Sequence, residues 1–254
     1  GGYTPPHVVF LDTDLLIMRP LTQVFTKGFS YKLFNDSQTM FAVALTYRGG
    51  CPGKFKNRCR FQPINTGIKF VRGPQVKEGV EVFKAALRLW DRNDTLVQQH
   101  CPSLVTGQGG RLGINAYSER SRRYLQKRMK APNLFGDSMC DQASFFRAIE
   151  MYSVTKPLWG KVSKKAFGSQ IELQYASGRK LQLPMGYLPC YRFNSVLHGK
   201  HADDCVASPR NTMIMHFKGA TAKPKGRVLW DVLKSENSVN AVFDALRLMK
   251  PEPH

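Results

Sequence analysis

Asp12 and Asp14, separated only by Thr13, interrupt the hydrophobic run HVVFLDTDLLIMRPL from His7 to Leu21. An unpaired carboxylate taken out of water costs several kcal/mol, so such groups are normally hydrogen-bonded, ion-paired or bound to metal. In an extended backbone, side chains two apart project to one face. The pair could therefore offer oxygens to one point beyond a strand's end, as a hard divalent cation requires. The alternative is that one aspartate caps a helix beginning near Leu15 while the other faces water.

Four further stretches carry groups of the same kind. Asn65-Thr66-Gly67 stands before an apolar run; Gly67 would let a ligand approach the backbone, and Asn65 could bond a hydroxyl-rich ligand or simply make a turn. Asp141 and Gln142 fall in the first turn predicted for a helix, where the dipole stabilises a carboxylate, and Ser138 with Asp141 would equally make a capping box. Leu188-Pro189 precedes Asn194. The last stretch, TMIMHFKGATAKPKG, ends an apolar run at His216 and continues into Gly219, Lys223 and Pro224. A loop rich in glycine and lysine is suited to phosphates.

The elements that must hold these groups alternate along the chain. Runs rich in Val, Ile, Phe and Leu predict strands over His7–Leu11, Met40–Thr46, Gly67–Arg72, Gln170–Tyr175, Lys180–Leu183 and Thr212–Phe217. Helical periodicity predicts helices over Gln75–Asp91, Glu119–Lys130, Cys140–Tyr152 and Asn240–Met249, the first with Val80, Val82, Phe83, Ala86, Leu87 and Trp90 as its apolar set. Thr95–Ala116 and Met185–Arg210 read as irregular. This alternation implies an α/β fold, a mixed sheet with helices on its faces. A strand as apolar as Val8–Leu11 is expected at a sheet's centre, parallel to neighbours on both sides, yet few residues precede it.

The 254 residues, 42% of them hydrophobic, suffice for a globular core, and no apolar run approaches the length of a membrane span. Lys and Arg total 38 against 18 acidic residues, a net charge of +20 that attracts anionic partners. The charge lies in three separate clusters, Gly53–Arg60, Arg120–Lys130 and Lys218–Arg227, rather than the single stripe that nucleic acid favours. Of the six cysteines, Cys51 with Cys59 and Cys190 with Cys205 bracket polar loops and could bridge them, and none makes a Cys-x-x-Cys pair. With the sequons at Asn35 and Asn93 they point to a secretory compartment.

In order, these motifs are an Asp-x-Asp after a strand, Asn-Thr-Gly, Asp-Gln at a helix start, Leu-Pro ahead of Asn, and His-x-x-Gly followed by Lys-Pro. The order resembles the glycogenin-like glycosyltransferases of family 8 and related nucleotide-diphospho-sugar transferases, from Val8 to about Leu229. The chain departs from that pattern in having three residues, Ala220, Thr221 and Ala222, between Gly219 and Lys223 where two are usual. The resemblance implies a single catalytic domain over residues 1–254 with a glycosyltransferase A-type, Rossmann-like mixed sheet flanked by helices. It also implies that upstream base-binding units, and any membrane anchor, belong to a longer parent, so the chain is expected to be N-terminally truncated. The edge beside Val8–Leu11 is then expected to be bare and apolar, and the chain alone to turn over little.

The same resemblance implies site roles. Asp12, Asp14 and His216 would hold manganese, or magnesium, on the diphosphate of a nucleotide sugar, a UDP-sugar foremost. They are expected to converge at the C-terminal ends of neighbouring strands. Asp12, Asn65, Thr66, Gly67, Asn194, Gly219 and Lys223 would bind the donor. Asp141 and Gln142 would lie near the transferred sugar in a retaining reaction. The acceptor would be a glycan or protein, possibly acidic, with no nucleic acid partner, and the compartment the Golgi or secretory lumen, with the cytosol as the alternative. Two other classes stay open: a nucleotidyltransferase, and a basic polyanion- or RNA-binding domain with aromatics such as Phe55, Phe61 and Tyr124 among its cations. A glycosidase is disfavoured, because its two carboxyls must flank a bond about 5 Å or more apart while those of Asp-x-Asp converge.

Overall fold

A computed structural model describes residues 5–36, 38–47, 64–91, 140–154, 165–175, 178–197, 205–217 and 222–249. The first strand, β1 (Val8–Leu11), runs into Asp12-Thr13-Asp14 and then β2 (Leu15–Ile17). Helix α1 (Lys27–Phe34) starts where Thr26 Oγ1 accepts from the Phe29 N–H, and stops at Asn35 in the left-handed region. Strands β3 (Val43–Tyr47) and β4 (Ile64–Val71) precede helix α2 (Val76–Asp91) and helix α3 (Cys140–Tyr152). Next come β5 (Phe167–Gln174), β6 (Lys180–Pro189), the short helix α4 (Cys190–Phe193) and β7 (Ser195–Val196). The chain continues through β8 (Ile214–His216), α5 (Ala222–Glu236) and α6 (Val239–Leu248).

These strands form two sheets, one of five strands in the order β1-β4-β3-β6-β5 and one of three in the order β2-β8-β7. Both are mixed. In the first, β4 lies antiparallel to β1 and β3, while β3 and β6 are parallel; in the second, β2 is antiparallel and β7 parallel to β8. The α/β class and the mixed sheet flanked by helices are therefore as the sequence predicts. All five residues of β3 are buried, the signature of a central strand. Gly186 of β6 sits where a Cβ would come within 2.9 Å of Ala44 Cβ, so its glycine allows the parallel pair to close.

Residue contacts divide the chain into two compact units: Gly1–Val76 with Pro157–Ser169 and Pro184–His254, and Lys77–Lys156 with Gln170–Leu183. In the first, Phe41, Phe70, Phe193, Ile68 and Ile214 form one apolar cluster, and Leu16, Met215, Phe217, Leu229 and Val242 a second, under α5 and α6. In the other unit, Phe83 of α2 meets Phe145 of α3 edge to face at 5.1 Å. The buried stripe of α2 is Val82, Ala85, Ala86 and Leu89.

Several expectations are corrected. Among the described residues the strand before the aspartates is neither central nor parallel: β1 lies at the edge of its sheet with β4 as its one neighbour, antiparallel to it. Val9 packs against the Phe41 cluster, while Phe10 and Leu11 are 48% and 37% exposed. Leu15 begins a strand and not a helix. Val80 and Leu87 point outward on α2, since the buried stripe follows Val82 at three- and four-residue steps. Met185–Arg210 is not all irregular, for β6 runs on to Pro189 against β3 and α4 and β7 follow. Nor is Lys223 on a loop: α5 begins at Ala222, and Pro224 stands in its first turn, where a missing N–H costs no helical bond. The Cys51–Cys59 bridge, the Glu119–Lys130 helix, the Asn93 sequon and the first two basic clusters lie outside the described residues.

A candidate metal centre between two sheets

Asp12 leaves the end of β1 with its N–H donated to the Gly67 carbonyl at 2.8 Å. Thr13 carries the chain across to the three-stranded sheet. There Asp14 precedes β2, with its own carbonyl accepting the Phe217 N–H at 2.9 Å, and Leu15 pairs with His216 at the end of β8. The antiparallel register thus brings Asp14 and His216 together. One oxygen or nitrogen from each of Asp12, Asp14 and His216 lies within 4.8 Å of the others. The three do converge, though not at the C-terminal ends of neighbouring strands. Asp12 ends a strand of one sheet, His216 ends a strand of the other, and Asp14 stands at a strand's start.

The orientation of His216 is fixed from behind. Thr46 Oγ1 donates to the Asn65 carbonyl at 3.0 Å and accepts from Asn194 Nδ2 at 3.1 Å. The Asn194 oxygen therefore faces His216 Nδ1 at 2.7 Å and needs a proton on that nitrogen. Asn194, Thr46 and His216 are all at most 5% exposed, so water does not compete for these bonds. With Nδ1 carrying a hydrogen, the lone pair of Nε2 points at Asp14 Oδ1, 3.1 Å away. Two acceptors at that distance require a cation between or beside them, either a proton or a metal ion. An imidazole whose second nitrogen is held by an amide oxygen is the usual arrangement behind a metal ligand.

Gly67 shapes the other side. A Cβ there would stand 2.3 Å from Asp12 Oδ2 and 3.0 Å from Asn65 Oδ1, so only glycine leaves the carboxylate its place. Asn65 Oδ1 accepts the Gly67 N–H at 3.0 Å beneath Asp12, and both residues lie inside β4 rather than in a turn before it. Lys223, in the first turn of α5, puts Nζ 3.4 Å from Asp14 Oδ2 while remaining 58% exposed. A cleft of about 340 Å³ opens here, lined by Thr13, Asp14, Lys223, Arg227 and Trp230 among others.

Asp12, Asp14, His216, Asn65, Gly67, Asn194 and Lys223 are brought together, and Thr66 is buried on β4 between Asn65 and Gly67. Gly219 lies outside the described residues. Asp141 and Gln142 occupy the start of α3 in the other compact unit; Gln142 is buried, and the side chain of Asp141 is outside the description. Sequence reasoning missed Thr46, whose one signal was a hydroxyl inside an otherwise apolar strand, and missed Arg227 and Trp230 because α5 was not foreseen.

Three oxygen or nitrogen ligands of the Asp, Asp, His type suit a hard to borderline divalent ion such as manganese. With metal–ligand bonds of ~2.1 Å, neighbouring ligands of an octahedral ion stand roughly 3 Å apart, as Asp14 Oδ1 and His216 Nε2 already do at 3.1 Å, and Asp12, within 4.8 Å of both, has to draw in towards them. The residues present therefore fit such an ion. Comparison with known proteins gives no family: no family model, no curated protein and no solved structure matches the chain.

Proposed function

We propose that this chain carries the donor site of a metal-dependent glycosyltransferase, taking a sugar from a nucleotide diphosphate sugar to an acceptor hydroxyl. The observation that supports it most is the relay Asn65–Thr46–Asn194–His216, which holds an imidazole lone pair against Asp14 beside Asp12, with a lysine on the same carboxylate. Asp12, Asp14 and His216 would hold manganese or magnesium. Bound there, the ion would neutralise charge on the diphosphate leaving group.

The chain's own residues do the rest. Asn194 keeps the proton on Nδ1 and the ring in place. Asn65 and Gly67 keep the Asp12 carboxylate free of steric contact with the strand behind it. Lys223, exposed at a helix start, can turn from Asp14 to a phosphate oxygen, where its charge and the first N–H groups of α5 act together. The bond from the anomeric carbon to the diphosphate oxygen breaks and one to the acceptor oxygen forms; nucleoside diphosphate leaves, and the acceptor's hydroxyl proton passes to it or to solvent. The resemblance makes the reaction retaining. A secretory compartment is part of the proposal, supported by the disulfide between Cys190 and Cys205.

The test is a panel of nucleotide sugars incubated with the protein, with manganese or with chelator. Release of nucleoside diphosphate that needs manganese and vanishes in Asp14→Ala supports the reading. Release of inorganic pyrophosphate from a nucleoside triphosphate instead would identify a nucleotidyltransferase. Turnover unchanged in chelator or in Asp14→Ala would overturn the metal site.

A further inference from the structure

A second cleft in the same compact unit, about 310 Å³, has no part in the metal centre. Its aromatic floor is the part-exposed Tyr191 with the buried Phe29 and Phe193, and its cations are Lys32, Lys165 and Arg192. Among the described residues that line it, none is acidic. Three like charges around one apolar floor repel one another, and no carboxylate among the described residues pairs with them. Arg192 reaches Gln23 Oε1 through Nη2 at 3.3 Å and lies 5.5 Å from the centre of the Phe193 ring. Its Nε is buried without a hydrogen-bond partner. Lys32 and Lys165 are both exposed, one from the last turn of α1 and one just before β5.

We infer that this cleft binds one acidic sugar, its ring on the aromatic floor and its anionic group among Lys32, Lys165 and Arg192. An aromatic floor with a rim of cations matches a ligand that is apolar on one face and negative at one end. A bare inorganic anion would leave the floor unused. The volume is at the small end of ligand cavities and admits one ring rather than a chain. That the ring belongs to the acceptor rests on the transferase reading; its binding does not.

The experiment is a titration of methyl glucuronide into the protein, followed by ligand-detected NMR, with methyl glucoside and inorganic sulfate as separate arms. The glucuronide should bind, the glucoside should not, and sulfate should bind more weakly than the glucuronide. Lys32→Gln combined with Lys165→Gln changes only exposed side chains, and should weaken the glucuronide roughly five- to tenfold. Manganese binding should be unchanged in that variant. Equal binding of glucuronide and glucoside would overturn the anionic recognition. Sulfate binding as tightly as the glucuronide would overturn the sugar. Full glucuronide affinity in the double variant would place the binding on another basic patch and overturn the site. Asp14→Ala should leave glucuronide binding intact, so failure of the metal centre and failure of this cleft are read separately.

Discussion

Replacing Asn194 with alanine would test the geometry behind the imidazole without touching a proposed metal ligand. The substitution removes the acceptor of the His216 Nδ1–H, 2.7 Å away, in a place where His216 is only 5% exposed. An orphaned buried donor costs about 1–3 kcal/mol. For a chain of this size each kcal/mol lowers the melting temperature by roughly 2–4 °C, so a fall of roughly 2–12 °C is expected. Thr46 contributes little to that loss, because its hydroxyl keeps its bond to the Asn65 carbonyl. Freed from Asn194, the ring can move its proton to Nε2 and donate to Asp14, and a metal ion must then displace that proton. Loss of such an outer partner lowers metal affinity by about 10- to 100-fold, or ~1.4–2.7 kcal/mol. Calorimetric titration with manganese measures the affinity, and melting with and without the ion measures the coupling. Asn194→Asp keeps an acceptor on Nδ1 and should hold manganese within a few-fold of the parent. If alanine and aspartate behaved alike, or if alanine left manganese affinity unchanged, the relay would have no bearing on the site.

Gly67→Ala should fold but lose manganese affinity, because the new Cβ displaces the exposed Asp12 carboxylate from its place; unchanged titration would remove Gly67 from the site. Lys223→Ala should split two affinities: bare manganese should bind up to about fivefold tighter once the competing ammonium is gone, while manganese with nucleoside diphosphate should bind more weakly. A parallel change in both would deny Lys223 its phosphate role. Cys190→Ser with Cys205→Ser opens a bridge spanning 15 residues, and urea unfolding should register a loss of about 3 kcal/mol; a loss near zero would contradict a formed bridge. His7 is held below its ordinary value of 6.5 by desolvation and, second, by the Arg72 guanidinium, and its Nδ1 accepts the Gly73 N–H at 3.0 Å. The unfolded chain therefore takes up the proton first as pH falls. The stability this group adds is complete above pH 6.5 and is lost as pH drops through the lower, folded value. Melting at neutral pH and at about pH 5 should show a smaller acid loss in His7→Gln than in the parent; an equal loss would acquit His7.

Much of the site could be read from residue types because its chemistry is local. The Asp-x-Asp pair, the glycine that must lack a Cβ, the histidine ending an apolar run and the asparagine after Leu-Pro each declare themselves within a few residues. Cys140–Tyr152 is helical to the residue for a similar reason, its period being long enough to resolve. What could not be read was the partition into two sheets. Strands β2, β7 and β8 are three, two and three residues long, too short for alternation to declare itself. Their pairing joins Leu15 to His216 across two hundred residues, a choice made by tertiary packing alone. Helix α5 was hidden by KPKG, whose proline and glycine read as a loop, although Leu229, Val232 and Leu233 behind them carry a helical stripe onto the second cluster. Thr46 was passed over because a hydroxyl in a strand is usually structural, and its partner lies 148 residues away.

The single residue Thr13 separates a proposed ligand beside one sheet from a proposed ligand beside the other. An ion held by both would be a clasp, and its retention would depend on how often the small sheet lets go. The ladders of β2, β8 and β7 contain few rungs, so their opening sets a ceiling on residence time whatever the intrinsic strength of the three bonds. Apparent affinity falls in proportion to the closed fraction, and by reciprocity the bound ion lengthens the life of the ladder. Amide protons of Leu16 and Met215 should thus exchange more slowly in manganese, while those of β3 in the larger sheet keep their rate. Ion binding and the cohesion of this small sheet become one equilibrium, observed from two ends.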